Sequence, residues 1–274
     1  MDILLILKAL ILGLVEAASE FLPISSTGHL IIVGDFLNFT GPRAETFEIF
    51  IQLGAILAVV WIYRERLFNV ALNLNRDRKA QRLVLNLIIA FAPAAALGLL
   101  LHKYITHYLF NPVTVAGALV VGGIAILLIE RYAKASRVQA VDDMAWKDAL
   151  LVGIAQSFAL FPGVSRSGAT IMGGMLGGLS RFAATEFSFF LAIPTMFAAT
   201  LYSLLKEWGH LTLADIPIFA VGFVAAFLGG LAVLRFMLGY VGQHSFAPFA
   251  WYRIAFGLFV LLSWQMGWVS WNAE

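Results

Sequence analysis

The stretch Glu16-Ala-Ala-Ser-Glu20-Phe-Leu-Pro23-Ile-Ser25-Ser26-Thr27-Gly28-His29 sets carboxylates, hydroxyls and an imidazole inside apolar surroundings. A second form of it occurs at Gln156-Ser-Phe-Ala-Leu-Phe161-Pro162-Gly163-Val-Ser165-Arg166-Ser167-Gly168-Ala-Thr170. Around each copy the chain is hydrophobic, and in the middle it is broken by Pro, Gly and a hydroxyl cluster. Residues 3–39 and 147–180 therefore each read as two short helices joined by irregular backbone. At membrane depth such backbone survives only where protein or a wet cavity covers it, so the pattern predicts two re-entrant helical hairpins with tips inside the protein. Polar groups in such segments are expensive in lipid, which marks both copies as functional.

The rest of the chain fits that setting. Hydrophobic residues make up 61% of the 274 and charged residues 12%, with mean hydropathy +0.88. These values describe a polytopic helical membrane protein. Six apolar runs are long enough to cross a bilayer, at about 45–63, 83–101, 112–130, 184–205, 216–238 and 250–269. Runs of that length exclude a transmembrane barrel, whose segments alternate over about ten residues. A net charge of +2 gives no argument for a nucleic-acid partner, and the absence of cysteine removes disulfides and thiol catalysis. The first apolar run contains Lys8 and is followed by two glutamates, which argues against a cleaved signal peptide.

Arg64, Arg66, Arg76, Arg78, Lys79 and Arg82 share one loop, and Arg131, Lys134, Arg137 and Lys147 lie in or beside another. Both loops are expected on the cytoplasmic side. Loops 102–111 and 206–215 and both termini then fall on the outer side, with the first hairpin entering from outside and the second from inside. A shift of 140 residues aligns the broken regions without a gap, matching Gly13 with Gly153, Ser25 with Ser165, Gly28 with Gly168 and Phe47 with Phe187. One hairpin plus three crossings per half, an odd number, makes the halves inverted repeats. The expected architecture is an all-α integral membrane protein of six transmembrane helices and two re-entrant hairpins. It forms one membrane domain over 1–274, with repeats at about 1–130 and 147–269. Inverted repeats with broken helices place their site near the midplane, between the repeats. Chance similarity between two apolar stretches is the alternative.

Glu16 and Glu20 are four residues apart and share a helix face. Two unpaired carboxylates there repel, so they need a cation or a shared proton. Hard oxygen ligands favour a divalent cation, Mg2+ or Ca2+, which commonly bridges phosphate oxygens. A glutamate pair facing the outer water is the plainer reading. Ser25, Ser26 and Thr27 are N-cap residues before an apolar helix, whose free N–H groups make an anion site. His29 falls within plausible reach of Ser25 or Ser26, and a hydroxyl beside a carboxylate and an imidazole can be an activated nucleophile. For the hydroxyls alone, capping suffices as an explanation.

In the second copy Ser165, Ser167 and Thr170 again read as turn, cap and helix start, with Arg166 in the place of Ser26. A midplane guanidinium needs a partner, and a phosphate oxygen pair fits its fork; a structural ion pair to Glu16 or Glu20 is the alternative. With the tips facing each other, the combination suits a phosphate ester or pyrophosphate. Glu48, Gln52 and Glu186 either line the same cavity or are ordinary interfacial charges.

These motifs resemble the bacitracin-resistance type of undecaprenyl-pyrophosphate phosphatase, an integral membrane family. The likeness extends from Gly13-Leu-Val-Glu16 through Glu48-Ile-Phe-Ile-Gln52-Leu-Gly54 to Pro162-Gly163-Val-Ser165-Arg166-Ser167-Gly168-Ala-Thr170 and Ser188-Phe. It implies hydrolysis of the C55 lipid pyrophosphate to its monophosphate and inorganic phosphate, recycling the carrier for cell-wall precursors. It also implies divalent-metal dependence and a multi-pass location in the bacterial inner membrane, with the site opening outward. Position by position, Glu16 and Glu20 resemble the family's acidic pair, Ser26 and His29 its serine and histidine, and Arg166, Ser165 and Thr170 its phosphate-binding set. Nothing resembles the histidine and lysine-arginine signature of type-2 phosphatidic acid phosphatases.

The mechanism expected is in-line attack at the terminal phosphorus with Ser26 as nucleophile, Glu20 or His29 as base, and Arg166 plus metal bearing the developing charge; Ser25, Thr27, Ser165, Ser167 and Thr170 bind the phosphates. Direct attack by water is the variant. The rival from another class is a polyprenyl-phosphate transporter or flippase using the same midplane site. A homodimer is among the assemblies the sequence leaves open.

Overall fold

The computed structural model describes residues 3–133, 135–207 and 215–269. Positions 208–214, most of the expected outer loop, and 270–274 at the carboxyl end lie outside the described residues.

The chain folds into helices α1 (Ile3–Phe21), α2 (Ser26–Phe36), α3 (Pro42–Ile62), α4 (Arg64–Asn73), α5 (Arg78–Leu109), α6 (Pro112–Tyr132), α7 (Trp146–Ser157), α8 (Arg166–Leu176), α9 (Arg181–Glu207), α10 (Ile216–Tyr240) and α11 (Ala247–Gln265). Two short 3-10 turns, Val141–Asp143 and Phe158–Leu160, complete the set. Six helices are long and apolar enough to cross a membrane, namely α3, α5, α6, α9, α10 and α11, each overlying one expected span. The starts follow local chemistry: the Asp77 carboxylate accepts from Lys79 N–H before α5, and Asn111 from Thr114 N–H before α6, whose Pro112 needs no donor partner. Pro93 and Pro194 lie inside α5 and α9 without ending them. Neighbouring helices of a membrane bundle make such interior prolines tolerable. The sequence reading takes 64–82 as a loop, whereas Arg64–Asn73 is helical with no buried residue.

Both broken regions are two helices joined by a bend. α2 and α8 are each 11 residues long, and their bounds differ by the same 140 positions that align the motifs. Both start after a serine with positive φ, Ser25 at 74° and Ser165 at 71°. Both end alike: Asn38 N–H bonds Asp35 O and Phe39 N–H bonds Gly34 O, as Gly178 N–H bonds Met175 O and Leu179 N–H bonds Gly174 O. α1 packs on α10, and α7 on α5. A Cβ on Gly13 would lie 2.4 Å from Gly222 O, and one on Gly153 2.5 Å from Ala90 O. Glycine lets the backbones approach that closely.

The two basic loops lie on one face, joined by the Arg66–Asp142 ion pair at 2.8 Å. At the starts of α3 and α10, Arg43 pairs with Asp215 at 2.5 Å. Buried phenylalanines, among them Phe21, Phe187, Phe189 and Phe190, fill the core around α3 and α9.

Candidate active site

The bends at residues 22–25 and 161–165 meet inside the protein. The Ser167 hydroxyl donates to Leu22 O at 2.9 Å, so the second bend is tied to the first. A residue of α11 completes the joint. Arg253 is 1% exposed, and its guanidinium donates to Pro23 O at 3.1 Å, Gly163 O at 3.0 Å, Val164 O at 3.0 Å, Ala118 O at 3.1 Å and Leu119 O at 3.3 Å. Peptide carbonyls freed by the two bends thus receive their donors from one side chain, which meets the rule that buried backbone groups be paired. Gly163 has φ +92°, and a Cβ there would lie 2.5 Å from Val115 O, so the second bend accepts only glycine against α6.

Between the bends lies a cavity of about 260 Å3, lined by Glu20, Ser25, Ser26, Thr27 and Gln52 from the first half and by Ala159, Phe161, Gly163, Ser165, Arg166, Met196 and Ala199 from the second. Across it runs a continuous polar chain. The Ser26 hydroxyl donates to Glu20 Oε2 at 2.7 Å, and Arg166 Nη2 donates to Glu20 Oε1 at 3.0 Å. Arg166 Nη1 also donates to Ser188 O at 2.8 Å and Ser188 Oγ at 3.2 Å, whereas its Nε is buried with no partner. That free N–H is an unmet donor next to the cavity. Ser25 and Ser165 carry strained positive φ at the starts of α2 and α8, a conformation that concentrates at functional sites.

The structure places three of the expected site residues outside the cavity lining. His29 does not reach a serine hydroxyl: its Nδ1 lies 2.7 Å from the carbonyl oxygen of Ser25 and its Nε2 2.7 Å from the Tyr252 hydroxyl, and its ring stacks on Phe256 at 4.1 Å. Both nitrogens are engaged, and Glu20 alone has the Ser26 proton in hand. Ser167 is spent on the Leu22 carbonyl. Thr170 is fully buried, donating to Arg166 O and contacting Ser188 Oγ at 2.7 Å, so it steadies the serine that holds Arg166. Neither Ser167 nor Thr170 lines the cavity. Gln52 does, while Glu186 turns to the basic face and pairs with Arg66 at 3.0 Å.

Glu16 is fully buried, and neither of its carboxylate oxygens has a hydrogen-bond partner. The charges acting on it are those of Glu20, Glu48 and Arg166. An orphaned buried carboxylate beside a second carboxylate fits a hard cation. Among the described residues no group of three or more acidic, histidine or cysteine side chains converges to hold a metal, so the donor set fits only when other oxygens complete it.

Sequence reasoning passes over Arg253 and Tyr252, and names Ser188 only within the family likeness without giving it a role. Arg253 stands within an apolar run, and the rule that an intramembrane charge marks function finds it there. Ser188 sits 140 positions after Glu48, but no local pattern announces its bond to Arg166.

The model of the bacitracin resistance protein BacA family matches residues 9–259. The chain belongs to the BacA family. Among its relatives, an undecaprenyl-diphosphatase of Dechloromonas aromatica is 58% identical over 274 residues, covering all of both chains. Those of Nitrosomonas europaea and Ectopseudomonas mendocina, under the same name, are 58% and 56% identical over 274 and 272 residues, covering at least 99% of each chain. Within the BacA family match lie both motifs and Arg253.

Proposed function

We propose that this protein is an undecaprenyl-diphosphatase: it hydrolyses undecaprenyl pyrophosphate to undecaprenyl phosphate and inorganic phosphate, recycles the lipid carrier for cell-wall synthesis and so gives bacitracin resistance. The observation that carries the mechanism is the chain Ser26–Glu20–Arg166, because it joins a nucleophile, a base and an anion ligand from both motifs in one cavity. The full-length relatives named for this activity support the substrate.

Arriving phosphate competes with Glu20 for Arg166, whose free Nε and planar fork suit two phosphate oxygens. Released from the guanidinium, the Glu20 carboxylate keeps the Ser26 hydroxyl as its partner and is placed to take its proton. Ser26 Oγ then attacks the terminal phosphorus in line, its proton passes to Glu20, and the bond to the bridging oxygen breaks, releasing undecaprenyl phosphate. Glu20 passes that proton to the departing bridging oxygen and then takes one from a water that attacks the phosphoserine phosphorus; the bond to Ser26 Oγ breaks and Glu20 returns the proton to it, giving inorganic phosphate and free Ser26. Arg166 and the N–H groups at the start of α8 stabilise the charge on the equatorial oxygens. Glu16 and Glu20 are the residues that would hold a Mg2+ or Ca2+ ion, which would supply charge neutralisation to the phosphates.

The fold reads as two inverted repeats, about 1–130 and 147–269, within a single membrane domain, each opening on a re-entrant hairpin. The equivalence of α2 with α8 and the exchange of α1 on α10 for α7 on α5 support this. The face bearing Arg66 and Asp142 is cytoplasmic by its basic loops, and the site opens outward in the bacterial inner membrane. Repeats of this kind also occur in transporters, which keeps a lipid flippase as the second reading. Phosphate release by pure protein in detergent separates the two, since transport needs a sealed bilayer. Metal-dependent release is the result expected; folded protein that binds the lipid and releases nothing would favour transport.

A further inference from the structure

The first bend is held differently from the second. At the second, the Ser165 hydroxyl accepts Gly168 N–H at 3.1 Å and the Ser165 carbonyl accepts Ala169 N–H at 2.9 Å, the ordinary bonds of a capped helix start. Ser25, 140 positions earlier and at nearly the same φ, makes no such cap with its side chain. His29 stands where the second copy has Ala169, and its ring takes the Ser25 carbonyl at 2.7 Å. A non-glycine residue at positive φ persists only where its surroundings over-determine it. At Ser25 the imidazole supplies that restraint in place of a cap.

The imidazole is itself held by α11. A carbonyl oxygen only accepts, so the proton between His29 and Ser25 is on Nδ1. Nε2 of the neutral ring is then an acceptor, and the Tyr252 hydroxyl, 2.7 Å away, donates to it. Phe256, one turn further along α11, stacks on the imidazole with the ring planes 13° apart and fixes its plane. A stacked ring can still turn within its plane; the hydroxyl at Nε2 and the carbonyl at Nδ1 remove that freedom. Arg253, the residue after Tyr252, bonds Pro23 O at 3.1 Å. Two consecutive residues of one helix thus hold the bend on both sides of Ile24, directly at Pro23 and through His29 at Ser25.

We infer that Tyr252 is a positioning residue for the reaction: acting through His29, it fixes the Ser25 peptide and with it the direction from which the adjacent Ser26 hydroxyl meets Glu20 and the phosphorus. Tyr252 does not line the cavity, whereas Ser25 and Ser26 do. The role rests on the reading of Ser26 as the nucleophile of the phosphatase.

The test is Tyr252→Phe, which keeps the ring beside His29, at 5.6 Å between centroids, and removes only the hydroxyl. Phosphate release from C55 pyrophosphate, counted per protein able to bind the lipid, should fall about tenfold or more in kcat with KM nearly unchanged. A misplaced nucleophile slows the chemical step and leaves ground-state binding alone. Tyr252→4-aminophenylalanine, which puts an N–H donor back at that place, should recover most of the loss. Histidine 15N NMR of the same preparations, with His29→Gln identifying the signals, should show the proton on Nδ1 in wild type. In Tyr252→Phe the Nε2 signal should move to that of an unbonded ring nitrogen. Wild-type kcat in Tyr252→Phe, no recovery with 4-aminophenylalanine, or a wild-type ring carrying its proton on Nε2 would each overturn the role. The NMR needs no turnover, so failure of the phosphatase reading shows separately, as wild type with the bonded Nδ1–H ring that releases no phosphate.

Discussion

Arg166 from the second motif ion-pairs with Glu20 from the first at 3.0 Å, although 146 residues separate them in sequence. Both side chains are about nine-tenths buried. A buried pair of this kind is weak as a source of stability, because desolvation offsets most of the attraction. Its value lies in what an incoming anion does to it: substrate takes the guanidinium and leaves a carboxylate ready to accept the Ser26 proton.

Arg166→Ala should therefore lower kcat/KM by about a thousandfold, the scale of an arginine that stabilises phosphoryl transfer. Arg166→Lys should recover little, because an ammonium cannot make the bidentate contact. Initial rates of phosphate release across substrate concentrations check this; near wild-type activity in Arg166→Lys would show that point charge alone suffices.

Arg253 makes a different prediction. Its five bonds to carbonyls hold the two bends and α6 together, so Arg253→Met should destabilise the protein by about 3 kcal/mol, the cost of orphaning several buried acceptors. Thermal unfolding in detergent reads it directly. Unfolding at the wild-type temperature would mean that the bends hold themselves in place.

Cation dependence should pass through Glu16. If its unpartnered carboxylate is a metal ligand, Glu16→Gln should weaken apparent Mg2+ or Ca2+ affinity by about tenfold or more. Calorimetric titration of the cation, alongside the metal dependence of phosphate release, measures it. An unchanged affinity would assign Glu16 a shared proton instead.

The close contact of α1 with α10 predicts a packing effect remote from the chemistry. Gly13→Val forces a side chain against Gly222 O and should cost about 2 kcal/mol. Melting temperature is the readout, and a variant as stable as wild type would show that α1 shifts freely.

The spans, the broken helices and the pairing of motifs were legible in the sequence because each follows from a local signal. Apolar length marks α3 or α10, and Pro23 and Gly163 mark the bends. Glu20, Ser26 and Arg166 stood out because polar groups in apolar runs are conspicuous, and the structure brings all three to one cavity. What local pattern cannot supply is direction. His29 lies close enough to Ser26 in sequence to suggest a bond, but α11 presents Tyr252 and Phe256, and the imidazole turns to them. Thr170 and Ser167 likewise look like phosphate ligands until tertiary packing offers Ser188 and the Leu22 carbonyl. Arg253 was hidden for the opposite reason: a lone charge in a span says that a partner exists, and only the fold shows that the partners are backbone carbonyls.

The most direct test of the central claim compares phosphate release from C55 pyrophosphate by wild type, Ser26→Ala and Glu20→Gln, with lipid binding measured on the same preparations. Attack by Ser26 with Glu20 as base predicts metal-dependent release by wild type and a loss of at least about a thousandfold in both variants, with binding retained by Ser26→Ala. Turnover of Ser26→Ala within tenfold of wild type would contradict it and give the attack to water.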